Sequence, residues 1–216
     1  MLNLVDLSHR VISGQQTYPG LPAPTVSAYL SHQDSRSHYT NGTEFHIGEI
    51  CMVMNTGTYV DAPFHRYRNR GDISQIELQR LANLDGICFR TRGASLDLAA
   101  VSRFDVRNKA VLIHTGWSQH WGSPEYFRGH PFVTREAAAW LVQAGAAHVG
   151  IDSLNIDSID GGQRPVHSLL LEADIPITEH LCNLDRIPEQ GFRYFAVPVK
   201  VVGAGSFPVR AFALVP

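Results

Sequence analysis

The chain has 216 residues, 44% hydrophobic and 18% charged, with a formal net charge of −2. That length suits one domain with a substantial core, and the composition excludes a disordered chain. No long basic run and no apolar run of membrane-span length occurs, so neither nucleic acid nor a membrane is an expected partner. Cys51, Cys88 and Cys182 are widely spaced and form no CxxC pair. That usage points to reduced thiols in a cytoplasmic protein. Met1–Asp6 has neither a basic start nor a long apolar stretch, so no signal peptide is expected.

Leu2–Ser8 alternates loosely and reads as an opening strand. Ser13–Pro24, with its glycines and prolines, reads as a loop and carries Tyr18. Ser31–Gly42 is polar and expected to be mobile, with His32 and His38 solvent-exposed rather than functional. Thr43–Met54 reads as a strand that delivers the chain to Asn55-Thr56-Gly57-Thr58-Tyr59-Val60-Asp61-Ala62-Pro63-Phe64-His65. In that stretch Gly57 allows a positive φ or close backbone approach, and Pro63 stiffens the exit. Asp61 offers hard oxygen ligands, and His65 offers either a ligand or a proton carrier. The bland alternative is that both cap a turn at a strand end.

Arg66–Asp72 is a basic loop, read either as a solvated charge run or as an attractor for a carboxylate-bearing substrate. Asp72–Leu81 is expected to be a short helix with Leu78 and Leu81 on one face. Leu84–Thr91 and Ala110–His114 read as strands, and Thr115-Gly116-Trp117 makes a sharp exit. The aromatic loop Trp117–His130 either walls a pocket or covers core or a subunit interface. Thr134 caps a helix that runs to about Ala144 and stops at Gly145. Ala147–Ile151 is a buried strand ending at Asp152. Asn155–Pro165 is a loop, and an apolar helix begins around His167. Ile175–Thr178 is a short strand leading to Glu179, and Leu181–Ile187 is a loop or short helix. Phe195–Val202 and Phe207–Val215 are expected closing strands, joined by a turn at Gly203 and Gly205. The mixture of helices and strands, with no linker or repeat, predicts one domain over 1–216.

The Asn55–His65 stretch resembles the signature of the cyclase family of metal-dependent hydrolases, which includes bacterial kynurenine formamidase (arylformamidase) and isatin hydrolase. That signature reads His-x-Gly-Thr-His-x-Asp-x-Pro-x-His. The chain matches it at Gly57, Thr58, Asp61, Pro63 and His65, and departs at Asn55 and Tyr59. The resemblance continues through Thr115-Gly116-Trp117, Gly150-Ile151-Asp152-Ser153, Thr178–Leu184 and Gly205–Arg210, covering nearly the whole chain in the family's order.

The resemblance implies an α+β fold, a single swivelling β/β/α domain, assembled as a homodimer or homotetramer with sites near the subunit interface. It implies that Asp61, His167 and Glu179 are metal ligands, the last two separated by twelve residues. It makes His65 the proton carrier and places Tyr18 and Trp117 against an aryl substrate. The family's two leading histidines are Asn55 and Tyr59 here. An amide oxygen is a weak zinc ligand, and a phenol with a pKa near ~10 binds well only after losing its proton. The expectation is therefore one divalent ion per chain, zinc or manganese, with magnesium also suited to the oxygen ligands. Asn55 and Tyr59 then bind the metal's water or the substrate. His46, on the preceding strand, is either an ordinary side chain or a substitute ligand.

The implied activity is hydrolysis of an amide, formamide or cyclic amide in a small molecule. Conversion of N-formylkynurenine to kynurenine in tryptophan catabolism is the type case. The alternative is a catalytically altered family member that binds a small molecule.

Overall fold

The computed structural model describes residues 3–91, 93–96 and 98–216. Met1 and Leu2 lie outside the described residues, so the expected opening strand begins at β1 (Asn3–Asp6). There follow β2 (Thr25–Leu30), α1 (His32–Ser35), β3 (Ile47–Cys51), β4 (Tyr59–Asp61), β5 (Leu84–Arg90), β6 (Ser95–Leu96) and α2 (Leu98–Val101). Next come β7 (Ala110–His114), β8 (Phe132–Val133), α3 (Arg135–Ala144), β9 (His148–Ile151), α4 (Pro165–Glu172) and β10 (Ile177–Glu179). The chain closes with β11 (Gln190–Phe195), β12 (Ser206–Pro208) and β13 (Phe212–Val215).

Nine strands form one sheet in the order β1-β13-β11-β5-β7-β9-β10-β4-β12. β5, β7, β9 and β10 run parallel at its centre, and antiparallel strands flank them. Parallel strands need both faces covered, and the sequence supplies both layers. Ile87, Phe89, Val111, Ile113, Val149, Ile151 and Ile177 pack on one face against Leu141 of α3 and Val166 and Leu170 of α4. On the other face Cys88, Leu112 and Val60 pack against Leu81, Leu184, Phe192 and Tyr194. The architecture is the expected α+β.

α3 forms as its sequence predicts. The Thr134 hydroxyl accepts from the Ala137 N–H at 3.2 Å, and Gly145 ends the helix at φ +79°. Other expectations are corrected. Ser31–Gly42 contains α1 and a 3-10 turn at Arg36–His38, because the Ser31 hydroxyl accepts from the Asp34 N–H and starts a helix there. The expected helix over Asp72–Leu81 is two separate 3-10 turns, Ile73–Gln75 and Leu78–Arg80; Leu81 is buried and Leu78 exposed, so they share no apolar face. The first of the two expected closing strands lies at Gln190–Phe195, not Phe195–Val202, where Pro198 interrupts the chain. The last expected strand is split into β12 and β13 around Val209–Ala211. β2 pairs with β3 in a ribbon separate from the main sheet, and its residues are exposed up to the last.

Candidate metal site

The register at the sheet edge assembles the site. β4 lies between β10 and β12, with Tyr59 opposite Glu179 and Asp61 opposite Ser206. Alternate strand residues share a face, so Tyr59, Asp61, Glu179 and Ser206 all point to the side covered by the helices. His65 follows on the 3-10 turn Pro63–His65, and His167 comes down from α4. Gly57 has φ +67°, the conformation its position called for.

Asp61 is fully buried. Its Oδ1 accepts from the Ser206 hydroxyl, while its Oδ2 has no hydrogen-bond partner. A buried carboxylate oxygen without a partner is costly unless something fills the gap. His167 Nε2 lies 3.7 Å from that oxygen and 3.5 Å from Glu179 Oε1. Asp157 orients the ring by accepting from His167 Nδ1 at 2.7 Å. The same carboxylate accepts from the Val166 and His167 N–H groups at 2.8 and 2.9 Å, capping α4 in place of Arg164, whose side chain does not cap it. Asp61, His65 and His167 each offer a ligand atom within 4.8 Å of the others.

Ser206 fixes His65. The single Ser206 proton goes to Asp61, so its oxygen accepts from Asn55 Nδ2 at 3.1 Å and from His65 Nδ1 at 3.0 Å. His65 Nδ1 thus carries the proton, and Nε2 is the basic nitrogen. Asn55 also reaches Asp61 Oδ1 at 3.5 Å.

The expectation for Tyr59 changes. Its hydroxyl donates to Glu179 Oε2 at 2.5 Å. Burial, with the charges of Glu179 and Asp61, drives its pKa well above the usual phenol value. The residue is a neutral donor that occupies one Glu179 oxygen, and the Ile156 N–H occupies the other at 2.7 Å. Burial opposes charge on His167, yet Glu179, Asp157 and Asp61 outweigh it and carry its pKa up to about 10. Burial also opposes charge on Asp61, but His65, His167 and Ser206 hold its pKa below the usual value. Glu179 is pushed up by burial and by Asp61, against His167 and Tyr59. The cluster as a whole draws positive charge into itself.

The cluster opens to a cleft of about 330 Å³, whose lining includes Tyr18, Leu21, Arg66, Asn155 and Arg164 together with His65, His167 and Glu179. Tyr18 is therefore brought to the cleft. Trp117 is not: its indole N–H donates to the Tyr126 carbonyl at 3.0 Å, and its ring packs on His120. His46 is not brought in either, since it is exposed just before β3 and stacks on His32 at 5.5 Å. Asp157, Ser206 and Arg164 were missed as site residues. Only Ser206 had a sequence signal, its place in Gly205–Arg210.

The family model described as "Putative cyclase" matches residues 5–158. This chain belongs to the cyclase family. Among its relatives is the kynurenine formamidase of Geobacillus thermodenitrificans, 27% identical over 210 residues, spanning 96% of this chain and 95% of that one. The kynurenine formamidase of Bacillus cytotoxicus is 24% identical over 208 residues, 96% of this chain and 95% of its own. The same fold occurs in isatin hydrolase A from Labrenzia aggregata bound to benzyl benzoate, with TM-score 0.84 and 21% identity over 99% of this chain and 94% of that one. A potential metal-dependent hydrolase with cyclase activity has TM-score 0.82 and 24% identity, covering 100% and 99%.

Proposed function

We propose that this cyclase-family protein is a metal-dependent hydrolase of an amide, formamide or cyclic amide bond in a small aryl substrate, similar in action to arylformamidase. One observation carries the reading. The buried Asp61 Oδ2 lacks a partner and faces His167 Nε2, beside His65, at the floor of an open cleft. Two buried carboxylates and an imidazole suit a divalent cation, with a second imidazole left free beside them, and related proteins bearing hydrolase names support the chemistry.

Asp61, His167 and Glu179 would hold one ion per chain, zinc or manganese or magnesium. Each carboxylate oxygen has two acceptor sites, so Glu179 Oε1 can keep the Ile156 bond and still face a cation. When bound, such an ion polarises a carbonyl and makes water acidic enough to supply hydroxide near neutral pH. The protein's own groups do the rest. His65 Nε2, freed by the Nδ1–Ser206 contact, takes the water's proton and returns it to the leaving nitrogen. Tyr59 and Asn55 hold Glu179, Ser206 and Asp61 in place, and Tyr18 and Leu21 offer a surface for an aryl ring. The three free cysteines fit a cytoplasmic enzyme. The exposed ribbon residues Val26, Tyr29 and Ile50 fit a homodimer or homotetramer.

A second reading, an altered member that binds a small molecule without hydrolysing it, draws on Tyr59, whose phenol already occupies Glu179. Turnover on N-formylkynurenine and on cyclic amides separates the two. The hydrolase reading predicts product release that falls at least ~10²-fold in His65→Ala. Binding without turnover of any of these substrates, in metal-loaded protein, would favour the second.

A further inference from the structure

We propose that Asn155 is a catalytic hydrogen-bond donor, its Nδ2 meeting the carbonyl oxygen of the substrate and the oxyanion formed from it; the role rests on the hydrolase reading above. Asn155 is 6% exposed and lines the same cleft as His65, His167 and Glu179. It stands in the loop between β9 and α4. Ile156, next in the chain, donates its N–H to Glu179, and Asp157 after it holds His167.

The amide can face only one way. Its Oδ1 accepts from the Asp157 N–H at 2.9 Å, closing a turn across two residues. The Asn155 carbonyl accepts from the Ser153 hydroxyl at 3.1 Å, which ties down the backbone as well. A backbone N–H needs an oxygen opposite it, so the turn decides which end of the amide is Nδ2. Among the described residues Nδ2 donates to no protein group, and it is not sealed from solvent. With so little of the residue exposed, that surface belongs to the cleft it lines.

The neighbouring donors are spent. Tyr59 donates to Glu179, and Asn55 Nδ2 donates to Ser206 and Asp61. Of the two amides and the buried phenol lining the cleft, Asn155 alone keeps a donor for a ligand. A buried donor left without an acceptor costs stability, and a substrate oxygen removes that cost.

Amide hydrolysis has a use for such a group. Hydroxide adds to the carbonyl carbon, a C–O bond forms and the π pair moves onto the carbonyl oxygen. His65 Nε2 holds the proton taken from water. When the C–N bond breaks, the pair on oxygen closes the C=O bond again and the proton passes to the leaving nitrogen. Full charge rests on that oxygen only between these steps. A donor fixed in advance stabilises the oxyanion more than the carbonyl it came from.

Kinetics and calorimetry on zinc-loaded protein test this. Asn155→Asp keeps Oδ1 for the Asp157 N–H and removes the donor. On whichever of N-formylkynurenine and the cyclic amides the wild type hydrolyses, it should lower kcat about 10²-fold with KM little changed. Phenylboronic acid, which takes up hydroxide to become a tetrahedral anion, reads the same donor without turnover, and its affinity should fall about tenfold. Asn155→Ser adds no charge and can keep the turn through its hydroxyl. It should show the same losses, which excludes simple repulsion, and it keeps the test valid if Asn155→Asp fails to fold. Zinc content should match the wild type in both. Wild-type kcat and boronate affinity in folded variants would overturn the proposal and leave the hydrolase reading. Loss of zinc in step with activity would also overturn it, since a structural role would act through Asp157 and His167. A wild type that hydrolyses none of these substrates removes the hydrolase reading. Boronate binding that still depends on Asn155 then keeps the donor site; absent or indifferent boronate binding removes both.

Discussion

Asp157 and Ser206 set the angles at which two histidines meet Asp61, and neither is itself a member of the Asp61–His65–His167 group. Asp157 holds His167 Nδ1, leaving Nε2 turned towards Asp61 and Glu179. Such outer partners fix ring orientation and raise ligand basicity. Asp157→Asn should therefore lower zinc affinity about 10–100-fold while the protein stays folded, measured by competition with a chromophoric chelator. Unchanged affinity would mean that the α4 backbone alone positions the ring. Asp61 and His65 were legible in the sequence because both sit in one stiff stretch with recognisable spacing. Asp157 was not, because its partner is fixed by a loop folding back on a helix start. Tyr59 was legible as a departure, but its neutral, donating state follows only from burial beside two carboxylates.

At the scale of elements, β4 is held between β10 and β12, and the turn bearing His65 packs under Gly205. The Ala62 N–H donates to the Gly205 carbonyl at 2.8 Å, and a Cβ on Gly205 would come 2.9 Å from His65 Cα. Gly205→Ala must move β12 or the His65 turn. Urea unfolding should show a loss of about 1–3 kcal/mol, accompanied by a fall in turnover. Full stability and turnover would show that the turn can give way. α3 was readable from sequence because its cap, apolar face and glycine stop agree. The β2–β3 ribbon was half missed because its strands bury almost nothing, so no alternation marks β2. Tyr29 is 75% exposed and Val26 53%. If the ribbon joins subunits, Tyr29→Lys combined with Val26→Lys should shift sedimentation from oligomer to monomer. An unchanged oligomer would place the interface elsewhere.

The whole molecule should lose stability in mild acid, in part through His148, which lies outside the cleft lining. His148 is fully buried and neutral, with Nδ1–H donating to the Arg80 carbonyl at 2.8 Å and Nε2 accepting from Thr178 at 2.7 Å. Burial lowers its pKa from 6.5 to about 4. Between those values the unfolded chain binds a proton that the folded chain refuses. The contribution of His148 is therefore intact above pH 6.5 and is lost as pH drops towards 4, roughly 3 kcal/mol for this group. Urea unfolding at pH 7 and pH 5 should show the fall, and His148→Gln should make it shallower without abolishing it, since burial lowers the pKa values of His9 and His180 in the same direction; an equal slope in the variant would assign the loss to those other groups. The central claim, that the Asp61–His167 cluster is a metal centre, is tested most directly by elemental analysis of protein purified without chelator. The account predicts one zinc or manganese ion per chain, lost in Asp61→Ala and in His167→Ala while both variants remain folded. A wild-type protein that takes up no ion even after incubation with zinc or manganese would contradict it.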